Sequence, residues 1–145
     1  MFVVDTNLLV YAANDEVPEH GRARELIEGW RAGQEQWFLT WSIAYEFLQV
    51  TTSRRLHRQI LPLADAVRFV ESVLASPVVS LLMETPRHRA VMRDLALQHP
   101  RLSGPKVHDL HIAALMKEHG IGEIRTADAD FHQFQFLKVV NPLAA

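Results

Sequence analysis

The opening stretch of the chain reads Met1-Phe2-Val3-Val4-Asp5-Thr6-Asn7. Three apolar residues, two of them β-branched, lead into an aspartate, and the apolar run Leu8–Ala13 follows the polar corner. This pattern predicts a buried strand, a tight polar turn and a helix. Functional groups of an open parallel sheet gather beyond the carboxyl ends of its strands, which favours a ligand or catalytic role for Asp5. A helix cap is the alternative, because Asp and Thr are preferred N-cap residues.

Composition restricts the kind of protein that this chain can be. With 145 residues, a single domain spanning 1–145 is the expectation. The net charge of −2 excludes a generally basic nucleic-acid binder, so any nucleic-acid contact must use a local patch. The chain has no Cys, which excludes disulfides, thiolate zinc sites and cysteine nucleophiles. The apolar run near the N-terminus is too short to span a bilayer, and it lacks the charged start of a signal peptide. We therefore expect a cytoplasmic protein without a membrane partner.

Apolar periodicity divides the chain into alternating strands and helices. Strands are predicted at 2–5, 37–40, 78–82, 123–126 and 136–140. Helices are predicted at 8–13, 19–32, 63–75, 85–99 and 107–119, with one more that carries Ile43, Phe47 and Val50 on one face. Strands separated by helices favour an α/β fold with a mostly parallel sheet of five strands. The short connection between the last two strands allows either a crossover or a turn.

Four acidic residues occupy positions where a carboxylate is costly or unusually placed. Asp5 ends the first predicted strand, and Asp128 follows the fourth. Glu46 lies on the apolar stripe of its helix. Asp109 lies in the first turn of its helix, on the face that also carries Ile112, Ala113 and Met116. A single acid of this kind is usually a cap or a paired structural charge, but all four converge if strands one and four are neighbours.

Converging carboxylates repel one another, which raises some of their pKa values. The economical compensation is one or two hard divalent cations, and ligation by oxygen alone is the preference of Mg²⁺ and Mn²⁺. Such cations neutralise phosphoryl oxygens, lower the pKa of a bound water and orient in-line attack. The residues therefore predict hydrolysis at phosphorus with water as the nucleophile. They do not distinguish RNA from DNA, because attack by water needs no 2′-hydroxyl.

These stretches together resemble the PIN-domain family, and within it the VapC-type toxin ribonucleases of bacterial toxin–antitoxin pairs. The resemblance covers essentially the whole chain, and its pieces are Val3–Asn7, Ala44–Phe47, Val107–Leu115, Thr126–Phe131 and Asn141–Leu143. It implies a three-layer α/β/α sandwich around a five-stranded, mostly parallel sheet. It also implies cleavage of single-stranded or loop RNA, a homodimer, and a cognate antitoxin whose tail enters the active site.

The resemblance further implies roles for individual residues. It assigns the catalytic, Mg²⁺- or Mn²⁺-binding cluster to Asp5, Glu46, Asp109 and Asp128. It assigns the ordering of that site to the polar residues Thr6, Asn7 and Thr126, and a supporting role through water to Asp130. Arg125 departs from the family, which usually has an apolar residue at this strand position, and this predicts an edge or substrate-facing cation.

Two basic segments, the run at 53–58 and the loop at 100–106, supply the cations expected to contact substrate. These cations are Arg54, Arg55, Arg58, Arg101 and Lys106. The alternative for both segments is an ordinary solvated surface. The histidines are expected to be surface or hydrogen-bonded residues, with His111 or His132 as further contacts to a substrate phosphate.

Three other protein classes compete with this interpretation. An HD-type phosphohydrolase is suggested by the order of His88, His108-Asp109 and Asp128, but that architecture is all-helical and Asp128 follows a predicted strand. A haloacid-dehalogenase-type phosphatase requires a second Asp where Asn7 stands. A binding module, in which the acids hold a cation without catalysis, is the non-enzymatic alternative.

Overall fold

The computed structural model describes residues 1–55 and 58–144. Its five strands are β1 Phe2–Val4, β2 Trp37–Leu39, β3 Val79–Leu81, β4 Glu123–Arg125 and β5 Lys138–Val140. They form one sheet in the order β3-β2-β1-β4-β5, and every neighbouring pair is parallel. The predicted α/β class and five-stranded parallel sheet are confirmed, and the last two strands are joined by a crossover. This sheet excludes the all-helical HD-type architecture.

Helices cover both faces of the sheet. In the described part of the chain they are α1 Thr6–Ala13, α2 His20–Ala32, α3 Trp41–Thr51, α4 Leu63–Leu74, α5 His88–Gln98 and α6 Val107–His119. Because parallel crossovers are right-handed, α1 to α4 lie on one face, and α5 and α6 lie on the other. The packing of α1 on α2 and α3, and of α5 on α6, agrees with this three-layer arrangement. None of the described helices has both the length and the apolar character needed to cross a membrane.

Strands β1 and β2 are wholly apolar because helices bury the middle of the sheet from both sides, whereas β4 also carries Glu123 and Arg125. Val3 and Val4 of β1 and Ile124 of β4 have no exposed surface. Trp37 of β2 and Ile43 of α3 are equally buried and extend the core outward. Each such side chain contributes about 1.5–3 kcal/mol by leaving water, so the core holds the ends of the strands in fixed positions.

A topological switch point lies between β1 and β4. The chain leaves β1 toward β2 on one side of the sheet and arrives at β4, on the other side of β1, from β3. Open α/β sheets have a crevice beyond the carboxyl ends of two such strands. Pairing extends to this edge, where the Asp5 backbone N–H donates to the carbonyl of Arg125 at 3.0 Å. Asp5 follows β1 and Asp128 follows β4, so the two residues lie on opposite sides of one crevice.

The edge position expected for Arg125 is wrong. Its strand β4 lies between β1 and β5 and is not an edge strand. The guanidinium lies 3.4 Å from the ring centroid of Phe2 and 4.9 Å from that of Trp30, and it pairs with Glu123 at 3.0 Å and Glu35 at 3.6 Å. This cation stays inside the protein surface because aromatic faces and two carboxylates replace its hydration. It is therefore a structural cation beside the core.

Candidate active site

Asp5 is the buried centre of the acidic cluster and is only 7% exposed. Its Oδ1 accepts a hydrogen bond from the backbone N–H of Thr6 at 2.8 Å, which caps α1. Its Oδ2 accepts from Thr126 Oγ1 at 2.8 Å and from Asn7 Nδ2 at 3.4 Å. The cap also explains why α1 begins at Thr6 and not at Leu8 as predicted. The capping and site interpretations are compatible, because the two carboxylate oxygens have different partners.

A network of polar side chains fixes the geometry around Asp5. Asn7 Nδ2 donates to Thr126 Oγ1 at 3.0 Å, and Asn7 Oδ1 accepts from the backbone N–H of Ala127 at 3.1 Å. Thr126 Oγ1 also accepts from the backbone N–H of Asp128 at 3.0 Å. These bonds join the end of β1 to the segment after β4, and the role of Asn7 and Thr126 in ordering a metal site stays a prediction.

The other acids surround Asp5 at increasing exposure. Asp109 is half-buried in the first turn of α6, whereas Glu46 and Asp128 are exposed. Glu46 Oε2 accepts from Thr6 Oγ1 at 3.1 Å, and Asp128 Oδ1 accepts from the backbone N–H of Asp130 at 2.9 Å. The structure thus brings together the four acids expected from the sequence, with Asp130 beside them.

The inward position expected for Glu46 is wrong in one respect. Ile43 and Phe47 face the core, while Glu46 lies on the flank of α3, which is open to solvent. Thr6 nevertheless holds its carboxylate toward the cluster. Glu46 is one position from buried Phe47 and therefore lies about 100° away around the helix, on its flank. The apolar spacing predicted the helix but did not define the edge of its buried face.

Electrostatics distinguish two of the carboxyl groups. Burial, together with the charges of Glu46 and Asp128, raises the pKa of Asp5 to about 6, although hydrogen bonds from Thr126 and Thr6 oppose the shift. Burial and the neighbouring charges of Asp5, Asp130, Asp128 and Glu46 raise the pKa of Asp109 to about 7. Ionisation of either carboxyl group is therefore less favourable here than in water unless a cation is bound.

The donor set fits a hard divalent cation. The cluster presents carboxylate oxygens, and no histidine or sulfur ligand is required, which suits Mg²⁺ or Mn²⁺. A cation would also remove the repulsion that raises the pKa values of Asp5 and Asp109. The burial of Asp5 and the exposure of Glu46 and Asp128 allow protein ligation on one side and water on the other.

Comparison with known proteins agrees with this fold. The PIN domain profile matches residues 2–137. The chain belongs to the PIN-domain family. Ribonuclease VapC33 of Mycobacterium tuberculosis is 36% identical to this PIN domain over 146 aligned residues, which cover 99% of each chain.

Solved structures of other PIN-domain toxins share the fold. VapC20 of M. tuberculosis, described as a Sarcin-Ricin loop cleaving toxin, matches with a TM-score of 0.65 and 22% identity, covering 91% of this chain and 93% of its own. VapBC2 of Rickettsia felis, solved bound to a DNA fragment from their promoter, matches with a TM-score of 0.62 and 16% identity, covering 97% of each chain.

Substitution of Asp109 by Asn is expected to raise the melting temperature of the metal-free PIN domain at about pH 8 and to change it much less at about pH 4. The folded-state pKa of about 7 lies above the ordinary value of 3.8, so the native state holds the proton more tightly than the unfolded chain. The free energy of unfolding therefore falls as pH rises from about 4 to about 7. Asn resembles the protonated carboxyl at every pH and removes this loss.

Thermal denaturation in the presence of EDTA measures this effect. The matched control is Asp94→Asn, which changes an exposed aspartate on α5 in the same way. A melting temperature of the Asp109→Asn protein below that of the wild type at about pH 8 would contradict the repulsive cluster.

The cations predicted for substrate lie at different distances from the cluster. Lys106 Nζ is 3.4 Å from Asp130 Oδ1, and exposed Arg101 lies in the segment before it. Arg54, Arg55 and Arg58 are exposed beyond the end of α3, where the Arg58 backbone N–H donates to Glu16, past the end of α1. Since α1 spans roughly 12 Å, Arg58 lies well away from Asp5. Leu56 and His57 of the basic run lie outside the described residues.

One group of residues in this PIN domain was missed by sequence reasoning. His111, expected near substrate phosphate, donates from Nε2 to Glu84 Oε1 at 2.8 Å. His88 donates from Nδ1 to Glu118 Oε2 at 2.6 Å. The one signal in the sequence was the spacing of seven residues between His111 and Glu118, which places both on one face of α6.

Proposed function

We propose that this PIN-domain protein is an endoribonuclease that depends on Mg²⁺ or Mn²⁺ and serves as the toxin of a toxin–antitoxin pair. The proposal rests chiefly on the convergence of Asp5 and Asp109, with raised pKa values, at the switch point of the sheet. The full-length similarity to a VapC ribonuclease supports RNA as the substrate. We assign the catalytic and metal-binding roles to Asp5, Glu46, Asp109 and Asp128.

The hydrogen bonds around Asp5 and Glu46 give their polar partners a positioning task in this proposal. Asp5 offers the central carboxylate, which Thr126 and Asn7 hold in a single orientation. Thr6 restrains Glu46 at the solvent side. A bound divalent cation supplies charge neutralisation at a phosphoryl oxygen and lowers the pKa of a water molecule. The protein scaffold thus positions the carboxylates before substrate arrives, so little reorganisation is needed during the reaction.

Two further polar groups extend the site toward the substrate. Asp130 lies close enough to contribute to the raised pKa of Asp109 and would support the cation through water. Lys106 pairs with Asp130 and is otherwise exposed, so it would meet a phosphate of the RNA backbone. A single exposed lysine steers and positions the RNA but does not read its sequence.

A cleavage assay tests the proposed function. Purified protein is incubated with single-stranded and hairpin RNA, and with DNA of the same sequences, in Mg²⁺, Mn²⁺ or EDTA. Cleavage of RNA with either metal and none in EDTA is the expected result. Absence of RNA cleavage in both metals would favour the non-enzymatic binding module, while equal cleavage of DNA would contradict the assignment to RNA. Mapping cut ends after expression of the active protein would identify the target.

Reversing the charge of Lys106 is expected to weaken RNA binding. It is also expected to reduce the slope of log affinity against log salt concentration by roughly one. The reason is that Lys106 is the predicted cation nearest the acidic cluster, through its contact with Asp130. Fluorescence anisotropy over a series of salt concentrations measures both quantities. Arg22→Glu is the matched control, since Arg22 is an exposed cation paired with Glu25 on α2. Equal affinities of Lys106→Glu and the wild type would refute this contact.

We assign two protein partners to the same chain, a cognate antitoxin and a second copy in a homodimer. Large apolar side chains on the described surface support protein contacts, among them Tyr45 at 68% and Leu97 at 75% exposure. Trp41 and Tyr45 line a groove between α3 and α4 with a volume of about 210 Å³. Light scattering of the purified chain tests the dimer, and co-expression with the adjacent reading frame tests the antitoxin.

A further inference from the structure

Three potential metal ligands meet where the start of α5 packs on α6. One ligand atom each from Glu84, His88 and His111 lies within 4.8 Å of the other two. His111 Nε2 is 2.8 Å from Glu84 Oε1. The rings of His88 and His111 are perpendicular, with 5.6 Å between their centroids. Among the described residues, these three therefore form a compact group with two nitrogens and one oxygen.

A buried carboxylate orients one of these ligands. The side chain of Glu118 is fully buried, and its Oε1 accepts from the backbone N–H of Thr85 at 2.9 Å and from Thr85 Oγ1 at 2.7 Å. Its Oε2 accepts from His88 Nδ1 at 2.6 Å. Because an ionised carboxylate can only accept, the proton of neutral His88 is on Nδ1 and the lone pair is on Nε2. This carboxylate–histidine arrangement is the one that usually supports a metal-bound histidine.

The two carboxylates that contact the histidine pair, Glu84 in the group and Glu118 beside it, both have a lowered pKa. Hydrogen bonding from His88 and Thr85 outweighs burial and lowers the pKa of Glu118. Hydrogen bonding from His111 lowers the pKa of Glu84. The histidine pair is thus framed by two negative charges, one buried and one exposed, which favours a cation between the rings.

The group is separate from the acidic cluster. Asp109 and His111 are two positions apart on α6, so their side chains point about 200° apart around the helix axis. Its donors also differ in kind, because two imidazole nitrogens prefer transition metals, whereas carboxylate oxygens alone suit Mg²⁺. A cation that prefers nitrogen would therefore choose this group over the cluster around Asp5.

We propose that Glu84, His88 and His111 form a binding site for Zn²⁺ that fastens the start of α5 to α6. Two histidines and one glutamate are a known zinc ligand set, and they leave a fourth position for water. The side-chain exposures of 48% for Glu84, 22% for His88 and 32% for His111 give the ion a path from solvent. Zn²⁺ would displace the proton that His111 now shares with Glu84. This site is independent of the proposed ribonuclease activity.

Titration with Zn²⁺ and Co²⁺ in excess Mg²⁺ tests the proposal, with Mg²⁺ present to occupy the acidic cluster. Calorimetry is expected to show one Zn²⁺ per chain, and Co²⁺ is expected to give the intense visible absorption of a four-coordinate site with nitrogen ligands. The same signals are expected in Asp5→Asn. Glu84→Gln and His111→Gln are expected to lose at least about tenfold in affinity.

Control variants separate this site from other sources of binding. His20→Gln removes a histidine of α2 and is expected to keep both signals. His88→Gln also removes the donor to Oε2 of buried Glu118, so the two other ligand variants decide the result if it fails to fold. Wild-type affinity in Glu84→Gln and His111→Gln, loss of binding in Asp5→Asn alone, or no binding to the wild type would each overturn the proposal.

Discussion

Asp5→Asn is expected to reduce RNA cleavage by at least about 100-fold while leaving the fold intact. Asp5 is the most buried member of the cluster and receives hydrogen bonds from Thr6, Asn7 and Thr126. Asn has nearly the same shape and can still accept from the Thr6 N–H, so the cap of α1 survives. It carries no charge and therefore cannot serve as the central anionic ligand of Mg²⁺ or Mn²⁺.

The experiment compares initial cleavage rates of the wild type, Asp5→Asn and the control Asp15→Asn. Asp15 is an exposed aspartate in the connection between α1 and α2. Circular dichroism establishes that each variant is folded. Cleavage by Asp5→Asn at the wild-type rate would remove Asp5 from the catalytic machinery, whereas equal loss in the control would indicate a nonspecific charge effect.

Two opposing effects of this substitution determine the stability of the metal-free variant. Removing the charge removes the desolvation cost of a buried carboxylate and the repulsion from Glu46 and Asp128, which stabilises the variant. The amide nitrogen, however, cannot accept the hydrogen bonds that Oδ2 receives from Thr126 and Asn7. We expect the relief of desolvation and repulsion to outweigh the lost hydrogen bonds above about pH 7, so that the metal-free variant melts at a higher temperature than the wild type. Asp109→Asn is the cleaner test, because no hydrogen bond to the Asp109 side chain is present in the described structure.

Mg²⁺ or Mn²⁺ at 100 times its dissociation constant is expected to raise the free energy of unfolding by about 2.7 kcal/mol. For a domain of this size the melting temperature should rise by roughly 5–10 °C. The physical reason is that the cation binds a cluster that exists only in the folded chain, where Asp5 and Asp109 approach each other. The shift should grow from about pH 6 to about pH 8, because both carboxyl groups must lose their protons to bind metal.

Differential scanning fluorimetry over a metal series measures this stabilisation. The double variant Asp5→Asn, Asp109→Asn is expected to lose the response, while Glu84→Gln, which changes only the proposed zinc site, should retain it. Mg²⁺ is the better probe of the two ions, since histidine nitrogens compete for it poorly. A wild-type protein with no shift at millimolar Mn²⁺ would contradict the metal hypothesis.

Much of the site followed from local patterns in the chain. The apolar run before Asp5 and the position of Asp128 after a later strand predicted two carboxylates at the same edge of a parallel sheet. Asp109 was predictable because it precedes buried residues at helical spacing. These inferences succeeded because strand ends and helix faces depend on neighbours close in sequence.

Other features depended on contacts between distant residues. Glu46 is exposed on the flank of α3, and a hydrogen bond from Thr6, 40 positions away, holds its carboxylate toward the cluster. Arg125 is covered by Phe2 and Trp30 from elements that a linear pattern does not connect. The sequence placed Glu46 on a helix and Arg125 on a strand, but it did not show which distant residues surround them.

By itself, the sequence determined the α/β class, the order of strands and helices, and the acids that end strands or begin a helix. Hydrophobic periodicity encodes these features because burial follows the backbone repeat. Only the tertiary structure decided that Asp5 both caps α1 and centres the cluster, and that Glu84, His88 and His111 meet over buried Glu118. Such groups form when packing brings separate elements within hydrogen-bond distance, and no repeat along the chain records that approach.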